Sequence, residues 1–116
     1  MSATGYLAGL AAEETVARDY LRRGLKLAGR RWRGRSGEID LIARDGDGLV
    51  FVEVKKSRSF ARAAERLTRR QIDRILMAAQ EFCAGEPLGQ LTEMRFDVAL
   101  VDGAGRLEIL ENVLAA

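Results

Sequence analysis

Asp40, Glu53 and Lys55 have the residue types and the spacing of a reaction centre, because a predicted hairpin brings them together. Two apolar-rich stretches flank residues 45–48, whose Asp-Gly-Asp-Gly sequence is a strong hairpin turn signal. If this loop joins the two strands without a bulge, position 44 pairs with position 49 and Asp40 lies opposite Glu53. Side chains alternate along a strand, so Asp40, Glu53 and Lys55 are predicted to point to one face of the hairpin.

This pairing would place two carboxylates side by side. Residues directly opposite on a sheet have Cβ atoms about 4.5–5.5 Å apart, a distance at which like charges destabilise the sheet. A divalent cation such as Mg²⁺ removes the repulsion, because hard cations bind carboxylate oxygens. Lys55 adds a positive charge beside such an ion, and Glu38 is expected opposite Lys55. The alternative is a chance register in a plain hairpin. The other face is predicted to be a core layer of Ile39, Leu41, Val50, Val52 and Val54.

The composition predicts one globular domain spanning residues 1–116. Hydrophobic residues make up 47% of the chain and there is one Pro, which argues against disorder. Histidine is absent and Cys83 is the single cysteine, so His-dependent triads and conventional zinc sites are excluded. No apolar run approaches the roughly 20 residues that cross a bilayer, and the N-terminus has no basic start before its apolar stretch. We therefore expect a cytoplasmic protein without a membrane partner.

The positive charges are concentrated in two segments, residues 18–35 and 55–74, each with eight Lys or Arg. Such clustering suits a polyanion better than the net charge of +2 implies. Arg31, Arg33 and Arg35 surround Trp32, which could stack on a base or pack as an anchor in the core. A solvated basic surface is the alternative interpretation of both segments.

The spacing of apolar residues predicts a helix over residues 5–23. Its apolar stripe is predicted to consist of Leu7, Leu10, Ala11, Glu14, Ala17 and Leu21. Glu14 is the anomaly in this stripe, because burying an unpaired carboxylate is costly. We expect Glu14 either to reach a metal site or a basic partner in the core, or to lie at the edge of the helix.

The remaining elements follow from local signals. Residues 25–33, 95–101 and 106–110 alternate as strands, and residues 60–66 form either a short helix or a mobile arm. Thr68 and Gln71 fit a capping box that begins a helix ending near Gly85. Helices on both sides of a series of strands predict a layered α/β fold with a mixed β-sheet.

Asp40 followed twelve residues later by Glu53-Val54-Lys55 resembles the PD-(D/E)xK nuclease motif. Over residues 8–101 the chain more closely resembles the YraN-like family of small endonuclease-like proteins. The motifs that carry this resemblance are Glu14 with Tyr20-Leu21, Gly24, Trp32-Arg33, residues 37–42 (GEIDLI), residues 51–55 (FVEVK) and residues 95–98 (RFDV). The chain departs from the family pattern at Glu13, where Gly is usual, at Arg31, where Asn is usual, and at Ser57, where a basic residue is usual.

The resemblance implies a restriction-endonuclease-like three-layer core, a mixed β-sheet flanked by helices in the order α-β-β-β-α-β-β. It also implies that Asp40 and Glu53 ligate Mg²⁺ or Mn²⁺, with the Val54 carbonyl and Glu14 as further ligands. Lys55 would orient the attacking water or stabilise the developing charge, and Glu38 would hold Lys55 in place. The predicted nucleic-acid contacts are Arg31, Trp32, Arg33, Arg35, Lys56, Arg58, Arg69, Arg70 and Gln71.

Three functions are consistent with these features. The first is a metal-dependent nuclease that acts on DNA more than on RNA, with branched or structured DNA among its candidate substrates. The second is a nucleic-acid-binding module that keeps the nuclease fold but is catalytically weak or silent. The third is a small structural or assembly protein whose acidic hairpin only caps a core. Cleavage of both strands of a duplex usually needs two sites, so a homodimer is plausible on chemical grounds.

Overall fold

A five-stranded mixed β-sheet forms the centre of the molecule. The structure, a computed structural model, describes residues 3–114, with side chains from residue 8 onward. The elements are α1 (Ala3–Arg22), β1 (Lys26–Arg33), β2 (Glu38–Asp45), β3 (Gly48–Lys56), α2 (Phe60–Glu65), α3 (Arg69–Cys83), a 3₁₀ turn (Gly89–Leu91), β4 (Met94–Val101) and β5 (Leu107–Leu110). The prediction is confirmed except that two helices, α2 and α3, stand between β3 and β4.

The strands lie in the order β1-β2-β3-β4-β5, and all neighbours are antiparallel except β3 and β4. The parallel pair requires a crossover, which α2 and α3 supply. Two core clusters cover the two faces of the sheet, one under α1 and the other under α3. The predicted three-layer α/β architecture is therefore confirmed.

The β2–β3 hairpin has the predicted register. Arg44 pairs with Leu49, and the ladder continues without a bulge to Leu41 opposite Val52. The predicted core layer is confirmed for Leu41, Val50, Val52 and Val54, which lie under α1, but Ile39 is wrong. Ile39 packs in the cluster under α3 together with Ile42, so the side chains do not alternate regularly between these two residues of β2.

The buried stripe of α1 differs from the predicted one. Ala12, Val16, Ala17 and Tyr20 are buried, whereas Ala11 and Leu21 are exposed. The predicted stripe is confirmed at Ala17 but wrong at Ala11 and Leu21, because α1 contains so many small apolar residues that two overlapping faces match helical spacing. The side chain of Leu7 lies outside the described residues. With the stripe rotated, Glu14 stands beside the core rather than within it.

Local signals located the remaining helix ends. The Thr68–Gln71 capping box is present in both directions at the start of α3. Gly24 follows α1 with a φ of +91°, a conformation that favours glycine. The Leu25 N–H donates to the Tyr20 carbonyl and so closes the end of α1.

Asp97 is a charged residue with no solvent exposure, and its carboxylate is fully hydrogen-bonded. It accepts hydrogen bonds from the Tyr20 hydroxyl at 2.6 Å, from two guanidinium nitrogens of Arg95 at 3.1 and 3.3 Å, and from the Asn112 N–H at 2.9 Å. These contacts join α1, β4 and the segment after β5. Asp97 therefore ties the helix that borders the candidate site to the centre of the sheet.

We predict that Asp97→Ala lowers the free energy of unfolding by about 3–5 kcal/mol, because it leaves the Arg95 guanidinium partly buried without its counter-charge. Urea denaturation measures this change. Asp73→Ala is the matched control, since it breaks only the exposed Arg69–Asp73 pair and should cost about 0–1 kcal/mol. Equal and small losses in the two variants would contradict the structural role of Asp97.

Candidate active site

Asp40 and Glu53 meet where the β2–β3 ladder ends. Leu41–Val52 is the last pair of the ladder, and the two acidic residues come next on either strand. Instead of a backbone pair at this point, the Val54 N–H donates a hydrogen bond of 2.8 Å to Asp40 Oδ2. Asp40 is thus held against β3 by its own carboxylate, at the height of Glu53.

The side chains of Asp40 and Glu53 are in hydrogen-bond contact, which favours the protonated form of Glu53. Burial raises the pKa of Glu53 well above its usual range, and the side-chain hydrogen bond with Asp40 and the Asp40 charge raise it further. Lys55 and the Val54 N–H oppose this rise without cancelling it. A protonated carboxyl group beside a carboxylate is the usual state of two acids held together without a cation.

The acid pair is accessible from two cavities, one on each face of the sheet. Asp40 lines a cavity of about 310 Å³ beside α1, together with Lys55, Lys56 and Arg66. Glu53 lines a cavity of about 190 Å³ beside α3, together with Glu38, Gln71 and Arg74. We refer to them as the α1-side cavity and the α3-side cavity.

This arrangement differs from the predicted single face for Asp40, Glu53 and Lys55. Asp40 and Lys55 share one cavity, whereas Glu53 and Glu38 line the other. Asp40 stands next to Ile39, where the alternation of side chains along β2 is irregular. Arg31, which lies opposite Asp40 on β1, has a φ of +47°, a left-handed conformation that is costly for a residue with a side chain.

Glu13, and not Glu14, lies beside Asp40. Glu13 lines the α1-side cavity and accepts hydrogen bonds of 3.0 and 3.3 Å from the Arg31 guanidinium. Glu14 is ion-paired with Arg30 at 2.8 Å and Arg18 at 3.6 Å, and the hydrogen bond from Arg30 lowers the pKa of Glu14. The predicted role of Glu14 near the metal therefore does not match its position. The spacing of Ala12, Val16 and Tyr20 is the sequence signal that would have selected Glu13.

Glu38 does not hold Lys55 in the structure. Its carboxylate is ion-paired with Arg33 at 3.1 Å, on the neighbouring strand β1. Lys55 instead lies in the α1-side cavity, close enough to Glu53 to lower the pKa of that carboxyl group. The positive charge of Lys55 therefore acts on Glu53.

The donor set fits a hard cation with an incomplete protein shell. Asp40 and Glu53 supply carboxylate oxygens, and Val54, the residue after Glu53, could add its backbone carbonyl. Among the described residues, no group of three or more Asp, Glu, His or Cys is arranged to hold a metal ion. Mg²⁺ is commonly bound through one or two carboxylates, with waters and substrate phosphates completing its coordination.

Several predicted nucleic-acid contacts are occupied by protein partners. Trp32 packs edge-on against Phe82, with ring centroids 5.3 Å apart, so it is an anchor of the core in this structure. Arg31 is bound to Glu13 and Arg33 to Glu38. The Arg35 N–H donates to Glu81 at 2.7 Å, while the Arg35 side chain lies in an exposed turn.

Of the other predicted contacts, two line the cavities and three do not. Gln71 lines the α3-side cavity, and Lys56 lines the α1-side cavity. Arg58 and Arg70 are exposed, and Arg69 is ion-paired with Asp73 at 3.2 Å. Sequence reasoning did not select Arg66 and Arg74, because neither belongs to a recognisable motif.

The comparisons with known proteins identify the family. The model of the uncharacterised protein family UPF0102 matches residues 12–101. The chain belongs to the UPF0102 (YraN-like) family. A UPF0102 protein of Ruegeria pomeroyi is 71% identical over 107 residues, which cover 92% of this chain and 87% of that protein. A UPF0102 protein of Dinoroseobacter shibae is 50% identical over 107 residues, covering 92% of this chain and 80% of that protein. The matched region includes Asp40, Glu53 and Lys55, so the site lies within the part that defines the UPF0102 family.

Among residues 3–114, no helix has both the length and the apolar character needed to cross a membrane. The cytoplasmic location, the single-domain organisation and the homodimer stay predictions.

We predict that the metal-free protein loses stability as the pH rises above the ordinary carboxyl range. Because the pKa of Glu53 is raised in the folded state, the folded protein binds more protons than the unfolded chain, and the free energy of unfolding falls with pH. The slope is at most about 1.4 kcal/mol per pH unit for one proton. Urea denaturation in EDTA between about pH 5 and pH 8 measures it.

Glu53→Gln should flatten this pH dependence, because the glutamine amide carries no titrating proton. Glu108→Gln, which changes an exposed glutamate on β5, should leave it unchanged. The same slope in wild type and Glu53→Gln would contradict the raised pKa of Glu53.

Proposed function

We propose that this UPF0102 protein is a Mg²⁺- or Mn²⁺-dependent nuclease that hydrolyses phosphodiester bonds in DNA, through a PD-(D/E)xK-type site. The observation that carries the proposal is the Asp40–Glu53 contact, in which two acidic side chains are held together beside the positive charge of Lys55. With both carboxyl groups ionised, a bound divalent cation would offset their repulsion. The cavity beside Asp40 also contains Lys55, Lys56 and Arg66, which suit a phosphate.

Asp40, Glu53 and the Val54 carbonyl would hold the ion, with water and substrate oxygens completing its coordination. When bound, the ion would polarise the scissile phosphate and lower the pKa of a coordinated water. The Val54 N–H keeps the Asp40 carboxylate in position through its 2.8 Å hydrogen bond. Lys55 would stabilise the negative charge that develops on the phosphate oxygens.

The reaction consumes one water. The water oxygen forms a new bond to phosphorus, and one P–O ester bond breaks on the opposite side. One proton of the water leaves to solvent, and the departing oxygen takes up a proton. The products are a phosphomonoester and an alcohol, so no oxidant or second substrate is needed.

The second candidate is a catalytically silent DNA-binding module. It is favoured by the small number of protein ligands available to the proposed ion. Glu14 is turned away toward Arg30, and the carboxylate of Glu13 is occupied by Arg31. With two carboxylates, the ion would be held less tightly than with three. DNA binding that falls steeply with salt, without cleavage, would identify this candidate.

We predict that Mn²⁺ raises the melting temperature of the wild-type protein, and that this shift is lost in Asp40→Ala. Binding to the folded state alone stabilises it by mass action, and Asp40→Ala removes a ligand. Glu14→Gln should retain the shift, because Glu14 is ion-paired outside the α1-side cavity. A shift that persists in Asp40→Ala would place the ion elsewhere.

We predict that Lys55→Ala and Glu53→Ala lower the rate of Mn²⁺-dependent cleavage by at least about 100-fold. Purified protein would be incubated with linear duplex, single-stranded, flap and four-way-junction DNA. Arg62→Ala, an exposed change on α2, is the control and should cleave as the wild type does. Equal cleavage by wild type and both site variants would mean that the activity comes from a contaminant.

A further inference from the structure

The α3-side cavity is lined by a basic side chain, Arg74, that has no role in the proposed catalysis. Arg74 lies on the second turn of α3, is exposed, and lines this cavity with Glu53, Glu38 and Gln71. Glu38 is ion-paired with Arg33, and Arg74 forms no ion pair with any of the described residues. Arg74 therefore offers a guanidinium group at the site without a carboxylate partner from the described part of the chain.

The two cavities lie on opposite faces of the sheet but reach the same acid pair. The α1-side cavity includes Ala12 and Glu13 of α1, and the α3-side cavity includes Gln71 and Ile75 of α3. The core clusters place α1 and α3 on opposite faces. Beyond Leu41 and Val52 the β2–β3 ladder ends, so the backbone pairing that would separate the two cavities is missing there.

Phosphate-binding groups are present on both faces. On the α1 side, Lys55, Lys56 and Arg66 are close together, and one Arg66 nitrogen is fixed to the Lys56 carbonyl at 2.9 Å. On the α3 side, the donors are the Arg74 guanidinium and the Gln71 amide. A chain of phosphates that contacts both sets must pass around the end of β2 and β3.

We propose that an unpaired nucleic-acid strand crosses the end of the β2–β3 pair, with one phosphate held by Lys56 and Arg66 and a neighbouring one by Arg74 and Gln71. This inference rests on the proposed nuclease function and names its substrate class, a single strand or the unpaired part of a branched structure. The path leads from one face of the sheet to the other around the ends of two strands, so the nucleic-acid strand must turn within a few nucleotides. Duplex DNA has a persistence length of about 150 base pairs and does not make such a turn, whereas a single strand does.

The test compares binding of a labelled 12-nucleotide single strand with binding of a blunt 12-base-pair duplex, by fluorescence anisotropy in EDTA. Wild type should bind the single strand at least about tenfold more tightly. Arg74→Ala and Arg66→Ala should each weaken single-strand binding several-fold. Each should also reduce the slope of log affinity against log salt by about 0.7, the value for one phosphate contact.

Arg62→Ala is the matched control, since Arg62 is exposed and lines neither cavity. It should change neither the affinity nor the salt slope. Arg74→Gln is a second variant at the same position, and circular dichroism of each variant checks the fold. Arg74→Ala keeps the Cβ that faces Gly37, so the contact between α3 and the turn is preserved.

Two results would overturn the inference: an Arg74→Ala protein that binds like the Arg62→Ala control while Arg66→Ala is weakened, or equally tight binding of blunt duplex and single strand. Mn²⁺-dependent cleavage by the wild type is a separate measurement. Its absence would overturn the nuclease function, whereas the Arg74 comparison tests only the path of the strand.

Discussion

The contact between Asp40 and Glu53 is the constraint on which the site depends. Two carboxyl groups meet at the end of a ladder whose register is fixed by a four-residue turn and by core residues on both faces. A slip by one residue would expose the apolar face of β2, so the sheet cannot relieve the repulsion by shifting. The protein holds the pair in place and leaves its charge to be balanced by a proton or by a cation.

Asp97 is a carboxylate with a structural role, and its surroundings differ from those of the Asp40–Glu53 pair. Asp97 is buried and accepts four hydrogen bonds from three residues, which satisfy its charge completely. Glu53, by contrast, has the side chain of Asp40, another acid, as its hydrogen-bond partner. Asp97 therefore stabilises the fold, whereas burial and Asp40 make the ionised form of Glu53 unfavourable. A carboxyl group with such a perturbed pKa is typical of a functional site.

Much of the fold could be predicted because its signals are local. The Asp-Gly-Asp-Gly turn set the hairpin register, and Thr68 with Gln71 located the start of α3. The features that could not be predicted depend on tertiary packing. The many small apolar residues of α1 left its buried face ambiguous. As a result, Glu14 was predicted at the site, whereas Glu13 lines the cavity there. Ile39 faces the opposite side from the predicted one, and Arg31 has a left-handed backbone conformation. Both features occur where β1, β2 and β3 lie side by side, and no local sequence pattern predicts them. Arg74 belongs to the site only because α3 packs across the sheet.

A crystal structure with Mn²⁺, recorded at a wavelength where manganese scatters anomalously, would show whether Asp40 and Glu53 bind a cation. We expect an anomalous peak between Asp40 and Glu53, with carboxylate oxygens of both residues about 2.0–2.6 Å from the ion. The hydrogen bond between the two carboxyl groups should then be absent. Crystals grown at millimolar Mn²⁺ with no peak at this position, and with the two carboxyl groups still hydrogen-bonded, would show that the pair is not a metal site.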